Sequence, residues 1–250
     1  MNQVHIITNF TKVYPDMIQI YIYKEPRLFV KSDSVKRNRE LVDNSHYTPS
    51  VSSLSRTKTL IRDIVLCNNF ELFCTFTFDP KKVDSFKFAR CWTKMSMWLH
   101  HQRDNAREKG IEFKYLIIPE QHKSGRWHFH ALISGYVGTL KPSNTFTASK
   151  RPIFNITSFR SGFTTAVPID SSEGVSSYVT KYITKDFIKK FNQRRFFCSR
   201  NLIRPLKQTN SDLLSKVLPL FRRKVYENKE LLQYNVDIND VLCDTENSTI

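Results

Sequence analysis

The chain has 250 residues, 40% hydrophobic and 13% aromatic, enough for one domain with a true core and arms beside it. Its formal net charge of +16 and pI of about 9.7 say nothing of fold but point to polyanionic partners, nucleic acid above all. No stretch reaches the ~18 uninterrupted apolar residues of a spanning helix, and Met1 to Phe10 lacks a basic segment followed by an apolar run, so membrane partners and secretion are excluded and a cytoplasmic location is expected.

Val4 to Phe10 and Met17 to Tyr23 are apolar and β-rich. Residues 32–60 are mostly Ser, Thr, Asn, Lys and Arg, the composition of a linker or mobile arm. From Phe70 to Pro80, Phe alternates with small polar residues, a strand stopped by Asp79-Pro80. Asp84 to Lys109 repeats Phe88, Cys91, Trp92, Met95 and Leu99 at helical spacing, with Gly110 as its stop. Lys114 to Pro119 and Trp127 to Ser134 read as strands joined by the turn Gln121 to Arg126, hence a hairpin. Arg151 to Thr157 and Gly162 to Ile169 are two more short strands. Asp170 or Ser171 can cap a helix from about Glu173 to Phe191. Beyond it, Arg194 to Ile203 is basic and aromatic, Ser211 to Leu232 is amphipathic, and the end is acidic. The mixture predicts an antiparallel α+β domain. The expected division is an N-terminal arm and linker at 1–66, a core domain at 67–205 and a C-terminal extension at 206–250. Five cysteines (Cys67, Cys74, Cys91, Cys198, Cys243) form no CxxC pair and read as reduced thiols.

His128-Phe129-His130 is the sharpest local signal. On a strand, side chains at i and i+2 share a face, roughly 6–7 Å apart, so both imidazoles can converge on one cation while Phe129 enters the core. Taken alone, the pattern also describes two surface histidines. Glu120, at the end of the preceding strand, changes that balance. Two His and one carboxylate with open positions suit a divalent ion that must also accept a phosphate oxygen. His122, in the turn, is a competing ligand. No cysteine lies near, which argues against a closed structural zinc site.

Tyr178-Val-Thr-Lys181-Tyr182-Ile-Thr-Lys185 holds two overlapping YxxK units. At about 100° per residue from Tyr178, Tyr182 falls near +40°, Lys185 near −20° and Lys181 near −60°. Val175, Val179, Ile183 and Phe187 fall between about 60° and 180°. A helix here would set both tyrosines and both lysines beside an apolar stripe. A phenol is a poor nucleophile at neutral pH; a neighbouring ammonium favours the phenolate, and a metal ion polarises the phosphate under attack. Packing at the stripe's edge is the other reading of the same residues.

Taken together, these motifs resemble the HUH endonucleases that initiate rolling-circle replication, most of all the initiators of small single-stranded DNA phages and related plasmids. Phe76-Thr77-Phe78-Asp79-Pro80 is similar to the family's first motif, Trp127 to Leu132 to its metal-binding second motif, and Tyr178 to Lys185 to its third, in the two-tyrosine form. The resemblance covers roughly Phe70 to Pro205. It implies a central five-stranded antiparallel sheet with flanking helices, and makes 67–205 the HUH nuclease domain. It implies Mg²⁺ or Mn²⁺ bound by His128, His130 and a carboxylate, for which Glu120 is the choice. It implies Tyr178 and Tyr182 as nucleophiles, with Lys181 and Lys185 stabilising phenolate or phosphate charge.

The expected activity is therefore sequence-specific nicking and joining of single-stranded DNA at an origin, through a 5′-phosphotyrosine that frees a 3′-OH primer. Two other readings stand beside it: an HUH transposase or mobilisation relaxase, and a basic nucleic-acid-binding protein without catalysis. Histidines preceding tyrosines favour the initiator. None of the six glycines begins a GxxxxGK[ST] loop, so unwinding and synthesis fall to a host helicase and polymerase. Lys189, Lys190, Arg194 and Arg195 are the expected DNA-binding residues, with Phe196 and Phe197 beside them available to stack on bases. Lys36 to Arg39 and Arg222 to Lys224 are further basic clusters.

Overall fold

The computed structural model describes residues 4–30, 51–170, 194–210 and 224–240. Along the chain run β1 (Val4–Val13), β2 (Met17–Val30), α1 (Val51–Cys67), β3 (Leu72–Phe78), α2 (Phe88–Glu108), β4 (Lys114–Gln121) and β5 (Trp127–Ser134). They are followed by β6 (Leu140–Phe146), β7 (Pro152–Ile156), β8 (Gly162–Pro168), β9 (Phe197–Cys198), β10 (Leu206–Thr209), β11 (Lys224–Glu227) and β12 (Leu231–Asp237). The chain divides into two compact units, residues 1–43 with 204–250, and residues 44–203.

In the first unit, β1 and β2 form a long hairpin closed by Tyr14 N–H donating to the Met17 carbonyl at 2.9 Å. Strands from the far end of the chain extend it to a five-stranded antiparallel sheet, in the order β10-β1-β2-β12-β11. Ile18, Ile20 and Val236 are its buried centre. Part of the stretch read as amphipathic, 211–232, is thus strand in β11 and the start of β12.

The second unit holds a seven-stranded antiparallel sheet in the order β6-β7-β8-β3-β5-β4-β9. Its inner five strands, β7, β8, β3, β5 and β4, are those that alternation in the sequence marks out. The two edge strands escape that reading for physical reasons. Leu-Lys-Pro-Ser-Asn-Thr-Phe in β6 is largely exposed and carries a proline, which an edge tolerates because one row of N–H groups lacks a strand partner. β9 is two residues long. The fold class is α+β, as expected; the sheets are two, of seven and five strands, where the resemblance implied one of five.

Alternation divides the central strands between two faces. Leu72, Cys74, Phe76 and Phe78 of β3 and Trp127, Phe129, Ala131 and Ile133 of β5 are buried against Cys91, Met95, Trp98 and Leu99 of α2. Phe76 meets Trp98 and Phe159, and Phe78 meets Phe129 edge-on at 5.3 Å, contacts worth roughly 0.5–1.5 kcal/mol each beyond burial. The helical pattern begins at Asp84, but α2 starts at Phe88. The Ser85 carbonyl accepts from Trp127 N–H at 2.8 Å, which ties the preceding turn to β5 instead. Gly110, at φ +69°, ends the helix, with its N–H on the Arg107 carbonyl.

On the other face, Ile61, Ile64 and Val65 of α1 pack with Leu116 and Ile118 of β4 and Leu132 of β5. α1 begins inside the polar stretch 32–60. Its apolar residues are confined to the last two turns, so most of the helix has linker composition and the packed spacing i, i+3, i+4 appears only at its end. Cys67, Cys74, Cys91 and Cys198 are unbridged. Burial pushes the Cys74 thiol up, and the Cys91 thiol up to about 11, which makes both poor nucleophiles. No helix among the described residues is long and apolar enough to cross a membrane.

Candidate active site

The β3–β5–β4 registers assemble the site. Glu120 pairs with His128, Thr77 with His128 and Thr75 with His130. Cross-strand partners project to the same side of a sheet, so Thr75, Thr77, Glu120, His128 and His130 share the α1 face. Phe129 points the other way and is fully buried, as the His-x-His reading requires.

Glu120 Oε2 lies 2.6 Å from His130 Nε2, a diagonal contact across the β4–β5 pair. Thr75 Oγ1 is 3.2 Å from His130 Nδ1, and Thr77 Oγ1 is 3.1 Å from His128 Nδ1. His130 is 6% exposed and stacks on Phe73 at 6.0 Å, which fixes the ring plane. The hydrogen bond from His130 holds the Glu120 carboxyl below its ordinary range, against the opposing pull of burial. Burial pushes the His128 imidazole down, helped by repulsion from His122 and His130 and opposed by Glu120. A neutral imidazole beside an ionised carboxylate is the protonation state in which both are ligands.

The turn residue His122 also faces this group, its ring centre 5.6 Å from that of His128. Its Nδ1 is engaged by Ser124. Glu120 and His122 therefore both border His128. Among the described residues, no three His, Cys, Asp or Glu side chains are gathered as a ready cation cage. The donor set nonetheless suits a hard divalent ion: two imidazoles and a carboxylate on one sheet face, with each ring's Nδ1 held from behind.

Tyr178, Lys181, Tyr182, Lys185, Lys189 and Lys190 lie outside the described residues, as does the helix expected from about 173 to 191. Arg194 is exposed. Arg195 is engaged inside the protein: its guanidinium donates to the Ser53 carbonyl at 2.7 Å, to Thr57 Oγ1 at 2.9 Å and to Ser53 Oγ at 2.9 Å. The two phenylalanines beside it are packed as well. Phe196 joins the α1 cluster and Phe197 stacks on Trp92, with ring centres 3.7 Å apart. Because β9 pairs with β4, adjacent residues point into the two cores on either side of the sheet, which takes both rings away from a DNA surface. Thr75 and Thr77 were visible in the sequence only as the polar half of the Phe-alternating strand; strand register is what sets them behind the histidines.

A family model of replication-associated proteins of the ORF2 type matches the chain. Residues 71–187 are similar to that family. The match covers just under half of the chain, running from β3 through the His-x-His strand to the Tyr178–Lys185 segment. No curated protein and no solved structure matches.

Proposed function

We propose that the chain is a rolling-circle replication initiator, an HUH-type nicking and joining enzyme of a phage or plasmid acting in the host cytoplasm. The observation that carries this reading is the group Glu120, His128 and His130 on one sheet face, inside a segment similar to replication-associated proteins and followed by Tyr178 and Tyr182. Supporting it are the +16 charge and the exposed Arg194.

Glu120, His128 and His130 would hold Mg²⁺ or Mn²⁺, with His122 as the alternative to Glu120. Such an ion, when bound, supplies Lewis-acid polarisation of the scissile phosphate. The chain's own residues do the rest. A tyrosine Oη, relieved of its proton and favoured as phenolate by Lys181 or Lys185, attacks phosphorus. The P–O3′ bond breaks, the 3′ oxygen takes up a proton, and the 5′ phosphate stays on the tyrosine. In closure, a DNA 3′-OH attacks that phosphotyrosine, and the phenol departs as the phosphodiester re-forms. Lys189, Lys190 and Arg194 would hold the strand, and a host helicase and polymerase would extend the primer.

The test is incubation of the full chain with end-labelled single-stranded origin DNA and Mn²⁺. An SDS-resistant protein–DNA adduct with a free 3′-OH on the other fragment is expected. Binding without adduct would leave a non-catalytic DNA-binding protein; excision and rejoining of an element would mark a transposase.

A further inference from the structure

We propose that Thr75 and Thr77 are positioning residues that set the tautomers of His130 and His128 and so govern cation binding; this rests on the metal reading above. Two adjacent strands place Thr, Thr and His, His in matched i, i+2 register, Thr75 to His130 and Thr77 to His128. Each hydroxyl lies 3.1–3.2 Å from the Nδ1 of its partner. A doubled contact of this kind follows from strand alternation, and it leaves each ring's Nε2 as the nitrogen on the open side.

The choice of a hydroxyl has a consequence. In the structure, His130 Nε2 is 2.6 Å from a Glu120 oxygen, a separation that requires a proton between them. In the neutral ring that proton sits on Nε2, so Nδ1 is an acceptor and Thr75 donates to it. To ligate a cation through Nε2, the ring must carry its proton on Nδ1 instead. Thr75 Oγ1 then becomes the acceptor by rotating its hydrogen. A backbone carbonyl or carboxylate behind Nδ1 would enforce the ligating tautomer permanently; a hydroxyl satisfies both. Thr75 therefore lets His130 alternate between an ion pair-like contact with Glu120 and a ligating state, with no buried nitrogen left unpaired in either. The proton count of the ring is unchanged: one N–H is lost at Nε2 and one is present at Nδ1.

The experiment uses the full chain labelled with ¹⁵N-histidine. Ring nitrogen shifts of His130 are recorded before and after saturating Mg²⁺, and Mn²⁺ affinity is measured by EPR of the free ion. The wild type should move from the Nε2–H to the Nδ1–H tautomer on adding Mg²⁺. Thr75→Val and Thr77→Val, which keep shape and remove the hydroxyl, should weaken Mn²⁺ about 10–100-fold, the range for outer partners of metal-binding histidines. Thr75→Ser and Thr77→Ser should restore affinity to within about threefold, taking as large only shifts approaching the decade expected for such partners.

Valine variants that bind Mn²⁺ as tightly as the wild type would overturn the proposal. So would serine variants as weak as the valines, since packing would then be the cause. If a valine variant fails to fold, the wild-type spectrum decides alone: His130 remaining Nε2–H under saturating Mg²⁺ overturns the proposal. A wild type that binds neither ion would instead overturn the metal reading beneath it.

Discussion

Glu120 reaches past His128, its partner in the β4–β5 register, to lie 2.6 Å from His130 Nε2. The diagonal contact joins a carboxylate at a strand end to the more deeply buried of the two histidines. It is the contact that a cation would have to replace, and it connects the ligand set to the adjoining strand β3 through Thr75.

Replacing either histidine should separate chemistry from binding. His128→Ala and His130→Ala are expected to lose several kcal/mol of transition-state stabilisation, roughly a hundredfold or more in cleavage rate. Single-stranded DNA affinity should change little, because it resides in Lys and Arg. EDTA should have the same effect on the wild type. Cleavage by His130→Ala at the wild-type rate in chelator would refute the metal reading.

The two tyrosines should share the work. One turn apart on the expected helix, both hydroxyls can visit the same phosphate. Tyr178→Phe and Tyr182→Phe should each retain some nicking but lose the cut that terminates a round, and the double variant should form no adduct. One dead single variant beside a fully active one would make this a one-tyrosine enzyme. Mass spectrometry of the nucleotide-linked peptide identifies the tyrosine used.

Arg195 should behave as a structural residue. Its guanidinium makes three hydrogen bonds to Ser53 and Thr57 of α1. Arg195→Ala should therefore cost roughly 1.5–3 kcal/mol, read as a drop in denaturation midpoint. Its single-stranded DNA affinity should stay within a few-fold of wild type, whereas Arg194→Ala should weaken binding and lower the salt slope. A large affinity loss with unchanged stability in Arg195→Ala would return that residue to the DNA surface.

Gly162 supports the site from the far side of β3. A Cβ there would stand 2.0 Å from the Thr77 carbonyl oxygen and 2.7 Å from the Asp79 nitrogen. Both neighbours are backbone, so Gly162→Ala must push β8 from β3 where Thr77 backs His128. Lower stability and weaker Mn²⁺ binding should appear together. A variant as stable as wild type would mean that the strands separate freely.

The first unit carries an acid-sensitive clamp. Glu227 of β11 pairs with Lys24 of β2 at 2.7 Å and with Lys224. The side-chain hydrogen bonds from Lys224 and Lys24 lower its carboxyl from the ordinary 4.5 to about 2. Because the folded value is the lower one, the contribution is present above pH about 4.5 and is lost as pH falls through about 2. Glu227→Gln should flatten acid unfolding across that window and remove its salt sensitivity. Identical acid profiles for the two proteins would exclude the clamp.

Much of this protein is determined locally. Period-two alternation marks the five inner strands of the larger sheet, 3.6-residue spacing marks α2, and His128-Phe129-His130 with Glu120 identifies one side of a hairpin. These are short-range properties, set by which face of a strand or helix meets the core. Tertiary structure decided what depends on register and on distant partners. The β3–β5 register turns Thr75 and Thr77 from spacers into partners of the histidines, because a shift of one residue would send them to the α2 face. Pairing of β9 with β4 takes Phe196 and Phe197 into the core, and packing of α1 engages Arg195, although all three look like DNA contacts in a basic, aromatic stretch. Likewise β10, β11 and β12 join β1 and β2 in one sheet across most of the chain's length. Such pairing is long-range, and local composition carries no record of which distant strand will supply the missing hydrogen bonds.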